Sequence, residues 1–179
     1  MKTIITKTGK KITFASPKSS DLTAIYQWVK TIEKEDTFIL LNYREPVFFK
    51  EEKEFLTGLL KKIKTNKSIF ISVFDQHKYL GSCSIDKLGK RQGHVGSFGI
   101  ALLKSYRAEG IGYQLAQYAI QQAKEKLKLK QIILGCFANN LVGLKLYQKL
   151  GFTQYGIHPK AIFYQGKYLD EILFYKNLK

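Results

Sequence analysis

The sequence predicts a mixed α/β sheet that is not a regular βαβ repeat. Two observations carry this. Residues 68–103 hold three successive strand-like runs, "SIFISVFD", "KYLGSCSIDKL" and "GHVGSFGIALL", joined by short turns, which makes a meander. Around them the apolar period turns helical: two amphipathic patterns precede the meander, and helix, apolar strand, helix and closing strands follow it. A length of 179 residues suits one domain, 1–179, able to bury its core without metal or disulfide support.

In chain order, "TIITKTGKKITFAS" alternates as a strand or hairpin, with a turn at Thr8-Gly9-Lys10. "SSDLTAIYQWVKTIEKE" reads as a helix capped by Ser20 or Asp21, with Leu22, Ile25, Trp28, Val29 and Ile32 on its apolar face. "DTFILLNYREPV" is irregular or partly extended, because Pro46 interrupts any helix there. "KEEKEFLTGLLKKIKT" is a second amphipathic helix whose acids come early and lysines late, the order a helix dipole favours. After the meander, Gly110 to about Leu127 is a helix: Ile111, Leu115, Tyr118 or Ala119, Ala123 and Leu127 keep helical spacing. "KQIILGCFA" is apolar enough for a central strand buried on both faces. "NNLVGLKLYQKLGF" is a short helix stopped by Gly151. The tail, "FTQYGIHPKAIFYQGKYLDEILFYKN", reads as two or three strands with a turn at Gln165-Gly166.

Hydrophobic residues at 45% and charged residues at 25% indicate a soluble globular chain. No run approaches the ~20 apolar residues needed to cross a bilayer. The start, "MKTIITKTGKKITF", lacks a signal peptide's continuous apolar stretch, so a cytoplasmic protein is expected. Cys83 and Cys136 lie far apart without metal-ligand or CxxC spacing, and His77, His94 and His158 are isolated, so buried free thiols and no metal are expected. The formal charge is +16, but 27 of the 30 basic residues are lysines scattered along the chain. A lysine-biased composition and a real anionic partner both account for that. The acids are less even: Glu33, Glu35, Asp36, Glu45, Glu51, Glu52 and Glu54 are half of the 14 carboxylates and fall within 22 residues.

The stretch "SYRAEGIGYQLAQYAI" places Arg107 just before Gly110 and Gly112 at a helix start. Glycine inside a helix costs about 1 kcal/mol against alanine, so two of them need a reason. A strand that turns into a helix through glycines makes an anion cradle: the first N–H groups lack partners, the dipole is positive, and no Cβ blocks the approach. Arg107 would add a fixed cationic fork. Taken alone, the pattern fits local turn geometry as well. It is neither GxGxxG nor GxxxxGK[ST], so dinucleotide and ATP readings are weak.

With these residues the chain resembles the GNAT superfamily of acetyl-CoA-dependent N-acetyltransferases. The pyrophosphate motif Q/R-x-x-G-x-G/A is matched by Arg107, Ala108, Glu109, Gly110, Ile111 and Gly112, after the strand "SFGIALL" and at a helix start. A second signature follows, with Asn140, Tyr147 seven residues on, then Gly151 and Phe152. The resemblance runs from about Ser68 to the C-terminus; "EDTFILLNYREP" and "KYLDEILFY" also look like segments of a subgroup near the ribosomal-protein and small-amine acetyltransferases. It implies a mostly antiparallel sheet of about seven strands flanked by about four helices, with a splay between the two central strands. It also implies acetyl transfer to a primary amine, of a small molecule or a protein N-terminus, in a ternary complex.

By that resemblance, the backbone from Ile100 through Leu102 would bind the pantetheine arm, and Arg107, Ala108, Gly110, Ile111 and Gly112 the pyrophosphate. Asn140 would contact the cofactor arm and Tyr147 would protonate the leaving thiolate. Seven residues are about two helical turns, so Asn140 and Tyr147 share a face. The chain departs from the family at Gly143, where relatives commonly carry alanine, and at Ser97, on a strand where many relatives carry a glutamate base. The base is therefore open: Glu35 is the first choice, with Asp36 and Glu45 beside it around the amine, and His94 and Asp170 are alternatives. A solvated acidic face explains the acid run equally well. A non-catalytic acyl-CoA-binding module of the same fold is the first rival, and a basic RNA-binding protein a weaker one, since the 24 aromatics mostly fit core positions. No membrane partner is expected, and the aromatic closing strands leave a homodimer open.

Overall fold

The structure, a computed structural model, describes residues 1–35, 37–40 and 46–178. Eight strands and four α-helices alternate through them: β1 (Lys2–Ile5), β2 (Lys11–Ala15), α1 (Leu22–Glu35), α2 (Phe49–Lys64), β3 (Ser68–Asp75), β4 (Lys78–Lys87), β5 (Val95–Leu102), α3 (Ile111–Leu127), β6 (Gln131–Phe137), α4 (Leu141–Lys149), β7 (Thr153–Tyr164) and β8 (Lys167–Asn177). The strands form one sheet in the order β1-β2-β3-β4-β5-β6-β8-β7. The meander, the two later helices and the closing hairpin fall where the sequence puts them. The sheet has eight strands rather than about seven because both arms of the N-terminal hairpin join it. Thr6 and Lys10 close that hairpin through Thr6 N–H to Lys10 C=O at 2.9 Å, and Gly9 turns with φ +83°.

Every strand pair is antiparallel except β5–β6. That parallel pair holds only from Val95↔Gln131 to Ser97↔Ile133. Beyond Ser97, β5 stays with β4 as far as Leu102, while β6 stays with β8 as far as Phe137↔Glu171. The two central strands therefore part, and the β6-facing edge of β5 from Phe98 onward has no strand partner among the described residues. An unpaired strand edge exposes N–H and C=O groups that a ligand can satisfy.

Side chains alternate across each strand, which separates two cores. On one face Ile69, Ile71, Val73, Cys83 and Ile85 pack with Ile111, Leu115, Ala119 and Ala123 of α3. Alanines on that stripe let α3 lie close to β3 and β4. On the other face Phe70 and Tyr79 pack with Ile25 of α1 and Leu56 and Leu59 of α2. Of the expected α1 face, Ile25, Val29 and Ile32 are buried. Asp21 does not start α1 directly: its carboxylate accepts from Lys18 N–H at 2.8 Å across a 3-10 turn, Ser19–Asp21, that leads into the helix.

The acid-rich run is largely absorbed by this framework. Buried Glu33 pairs with Lys30 and accepts from Val47 N–H at 2.9 Å. Glu51 accepts from Phe48 N–H at 2.8 Å at the start of α2. Burial holds the Glu52 carboxyl above its ordinary range. Asp36 and Glu45 lie outside the described residues. Among the described residues no helix is long and apolar enough to cross a membrane.

Candidate active site

The parting of β5 and β6 opens a cavity of about 320 Å³. Ile100 and Ala101 from β5 line it, with Asn140 just before α4, Tyr147 from α4, Gly135 to Phe137 from β6, Ser82 and Ser84 from β4, Phe38 to Leu40, and Glu171 from β8. Asn140 and Tyr147, seven residues apart, thus reach one space. Asn140 also caps α4, accepting from Gly143 N–H at 2.9 Å, so ligand contact and capping are compatible in one side chain. Leu102 is buried and does not line the cavity; its carbonyl accepts from Arg107 Nε at 2.9 Å.

Tyr147 is buried, ringed by Phe98, Phe152 and Phe174 with centroids 6.0–6.1 Å away. Burial pushes its hydroxyl well above the ordinary phenol value, and the thiols of Cys136 and Cys83 add a smaller push the same way. It keeps its proton where an amine must lose one. Cys136, on the cavity wall, is a free buried thiol, raised to about 11 by burial and then by the charge of Glu171. Cys83 is likewise buried and free. Among the described residues no cluster of His, Cys, Asp and Glu could hold a metal.

The start of α3 answers the glycine question in two parts. Ala108 and Gly110 both take left-handed backbone, φ +64° and +79°. Gly110 is required by that conformation, since a Cβ there would meet nothing within 4 Å. Gly112 is different: its Cβ would sit 3.8–4.0 Å from Leu102, Leu146 and Ile100, ordinary contact, so the chain's own atoms do not demand glycine. Among the described residues no side chain caps the helix, and its first internal bond runs from Gln114 N–H to Gly110 C=O at 3.4 Å. The N–H groups of Ile111, Gly112 and Tyr113 are the ones that helix geometry leaves without an internal acceptor. Alternating left-handed residues before an uncapped helix form an anion-binding concavity.

Arg107 is not a free cationic fork above that concavity. Its Nε donates to Leu102 C=O, and Nη2 donates to Glu35 Oε2 at 2.7 Å. Glu35 also accepts from Lys104 N–H at 3.0 and 3.2 Å. Glu35, expected as the base, therefore ties the end of α1 to the end of β5 and does not line the cavity. Replacing Arg107 or Glu35 by Ala is expected to cost about 1–2 kcal/mol each, a charge-assisted bond at a half-exposed site. A double-mutant cycle by urea denaturation should show the two losses failing to add; strict additivity would contradict the clamp.

The alternative bases also lie elsewhere. His94 uses its carbonyl to hold Lys130 and Gln131 N–H, and Asp170 Oδ1 accepts from Lys160 N–H at 2.9 Å. Its neighbour Glu171 is in the cavity instead, because successive residues of a strand face opposite ways. Sequence reasoning missed Glu171 for that reason; the register of β8 decides it, and the run "YLDEIL" does not display the register. It also missed Phe38 and Phe137, whose rings pack at 5.7 Å beside the cavity and whose partnership is non-local.

Residues 23–152 match the model described as the Acetyltransferase (GNAT) family. Over 80 residues, 45% of this chain, the sequence is 30% identical to the L-amino acid N-acetyltransferase AaaT of Escherichia coli (strain K12), and the match spans about half, 49%, of that relative's length. The ribosomal-protein-S5-alanine acetyltransferase from Vibrio fischeri superposes with a TM-score of 0.82 at 22% identity, covering 93% of this chain and 92% of that one. The spermidine N-acetyltransferase from Vibrio cholerae, solved with CoA and spermine, superposes with a TM-score of 0.77 at 21% identity, covering 93% and 95%. The fold, the splayed central strands and a family match over most of the length agree: this chain belongs to the Acetyltransferase (GNAT) family.

Proposed function

We propose that this chain transfers the acetyl group of acetyl-CoA to a primary amine, with Tyr147 as general acid. The observation that carries the reading is the cavity where β5 and β6 part, with Tyr147 in its wall and the uncapped α3 start at the end of β5. The residues fit the cosubstrate. The free N–H groups of Ile111, Gly112 and Tyr113 suit a pyrophosphate, and Gly112 leaves room that the protein itself does not need. The unpaired edge of β5 at Ile100 and Ala101 suits the amide-rich pantetheine arm. Asn140 has its Nδ2 free of the capping bond for the same arm. When bound, acetyl-CoA supplies a thioester, whose carbonyl is open to attack by a neutral amine.

The chain's own residues then do three things. Backbone N–H groups of the β5 edge hold the carbonyl and the oxyanion it becomes. Phe38, Phe98 and Phe137 keep water from the reacting atoms. Tyr147, protonated through the whole physiological range, gives its proton toward sulfur. The named activities of the relatives, on an L-amino acid, a ribosomal-protein alanine and spermidine, share a primary amine, which is the acceptor class proposed here. The test is thiol release from acetyl-CoA with a panel of an L-amino acid, an alanine-ended peptide and spermidine. Amine-dependent thiol release is expected. Tight acetyl-CoA binding with no release on any amine would instead favour the non-catalytic module.

A further inference from the structure

The acceptor side of the cavity carries a device that neither the family motifs nor the acid-rich run indicates. Glu171 is the one carboxylate that lines the cavity among the described residues. Its carboxyl lies over the β6 backbone at Gly135, so closely that a Cβ built on Gly135 would collide with Oε1 and Cδ. Gly135 is not needed for its backbone angles, and in the middle of a strand glycine costs stability. What it provides is a notch, and Glu171 occupies it. On the other side His158 Nδ1 of β7 stands 3.8 Å from Oε2. The carboxyl thus lies between β6 and β7, yet its side chain stays 27% exposed and lines the cavity.

We propose that Glu171, seated in the Gly135 notch and backed by His158, is the carboxylate that receives the acceptor ammonium and takes its proton. This rests on the acetyl-transfer reading above. The step balances as follows. The ammonium gives one proton to the Glu171 carboxylate, and the nitrogen lone pair forms the C–N bond to the thioester carbon. The C–S bond then breaks, sulfur takes one proton from Tyr147, and the nitrogen loses its second proton. Tyr147 is reprotonated and one proton leaves to solvent, so acetyl thioester and ammonium give amide, thiol and H⁺.

The surroundings of Glu171 support this assignment. From β7 it faces His158, and the other titratable groups that line the cavity with it are the Cys136 thiol of β6 and the Tyr147 hydroxyl of α4. β4 contributes only the neutral Ser82 and Ser84, and Phe38, Ile39 and Leu40 carry no charge. Glu35 and Asp170 are committed to backbone N–H groups elsewhere. An ammonium in the cavity, beside the rings of Phe38 and Phe137, would meet this carboxylate, and an aromatic ring face favours a cation.

The test compares wild type with Glu171→Gln, using whichever of the three panel amines wild type acetylates fastest. At neutral pH, kcat/KM should fall by about 10²–10⁴-fold, with acetyl-CoA affinity by calorimetry unchanged. The ascending limb of the pH profile should move up toward the free amine's own pKa, because solvent must then remove the proton. Trifluoroethylamine, far less basic than ethylamine, should narrow the gap between variant and wild type. Gly135→Ala, which displaces the carboxyl, should resemble Glu171→Gln. A Glu171→Gln profile of unchanged shape, with only KM raised, would overturn the base role. Wild-type thiol release that Glu171→Gln matches would do so too, while absence of release in wild type would sink the acetyl-transfer reading instead.

Discussion

Replacing Tyr147 by Phe is expected to lower turnover by about 10²–10⁴-fold, the usual worth of a positioned general acid, while acetyl-CoA affinity stays near wild type. The phenol oxygen is the only atom lost. The ring still packs against Phe98, Phe152 and Phe174, so the fold and the cavity wall persist. The sign of the pH dependence follows from burial. Tyr147 titrates above its ordinary value of 10.0, so the folded state favours the protonated phenol. That contribution to stability is complete below the ordinary value and is lost only as pH rises through the folded one. Loss of the Tyr147 proton should therefore cause no descending limb in kcat below about pH 10. Stopped-flow thiol release over the pH range, in wild type and variant, checks both statements. Parallel losses of turnover and affinity would assign Tyr147 a packing role alone.

The second large effect sets two neighbouring glycines against each other. Gly112→Ala should weaken acetyl-CoA binding by more than about tenfold, since a methyl group would stand where the phosphate approaches the helix start. The same change should leave stability unaltered or raise it by up to ~1 kcal/mol, because alanine is the better helix former and its Cβ finds ordinary contacts. Gly110→Ala should do the reverse in stability, costing about 1–2 kcal/mol at φ +79°. Calorimetry with acetyl-CoA and thermal melts of both variants separate the roles. A Gly112→Ala protein that is less stable and binds normally would make that glycine structural.

Much of the fold was legible because its signals are local. The short, mostly apolar run "SIFISVFD" marks a strand whose first six residues are buried on both faces, and the helical period from Ile111 to Leu127 reports the face that the sheet buries. The Gln165-Gly166 turn, with φ +48° and +78°, is readable from its dipeptide. Asn140 and Tyr147 were placed together by helical geometry. What was not legible is non-local. Arg107 and Glu35 are 72 residues apart, and only the packing of α1 on β4, which brings its end to the turn after β5, lets one neutralise the other. Asp170 and Glu171 differ by one place in sequence and by a whole face of the sheet in space. The notch at Gly135 depends on the pairing of β6 with β8, which sets Phe137 opposite Glu171 and brings the carboxyl back over the glycine. The acid-rich run looked like a binding feature because composition does not distinguish an ion pair or a cap from a ligand site.

The measurement that tests the central claim most directly is a titration of acetyl-CoA followed through the backbone amide resonances of the isotope-labelled chain. The cleft and cradle predict that the largest shifts fall on Ile111, Gly112 and Tyr113 at the start of α3 and on Ile100 and Ala101 at the β5 edge. Asn140 should follow, and Gly112→Ala should abolish the α3 group of shifts. Shifts scattered over the lysine-rich surface, with those amides unmoved, would contradict the account.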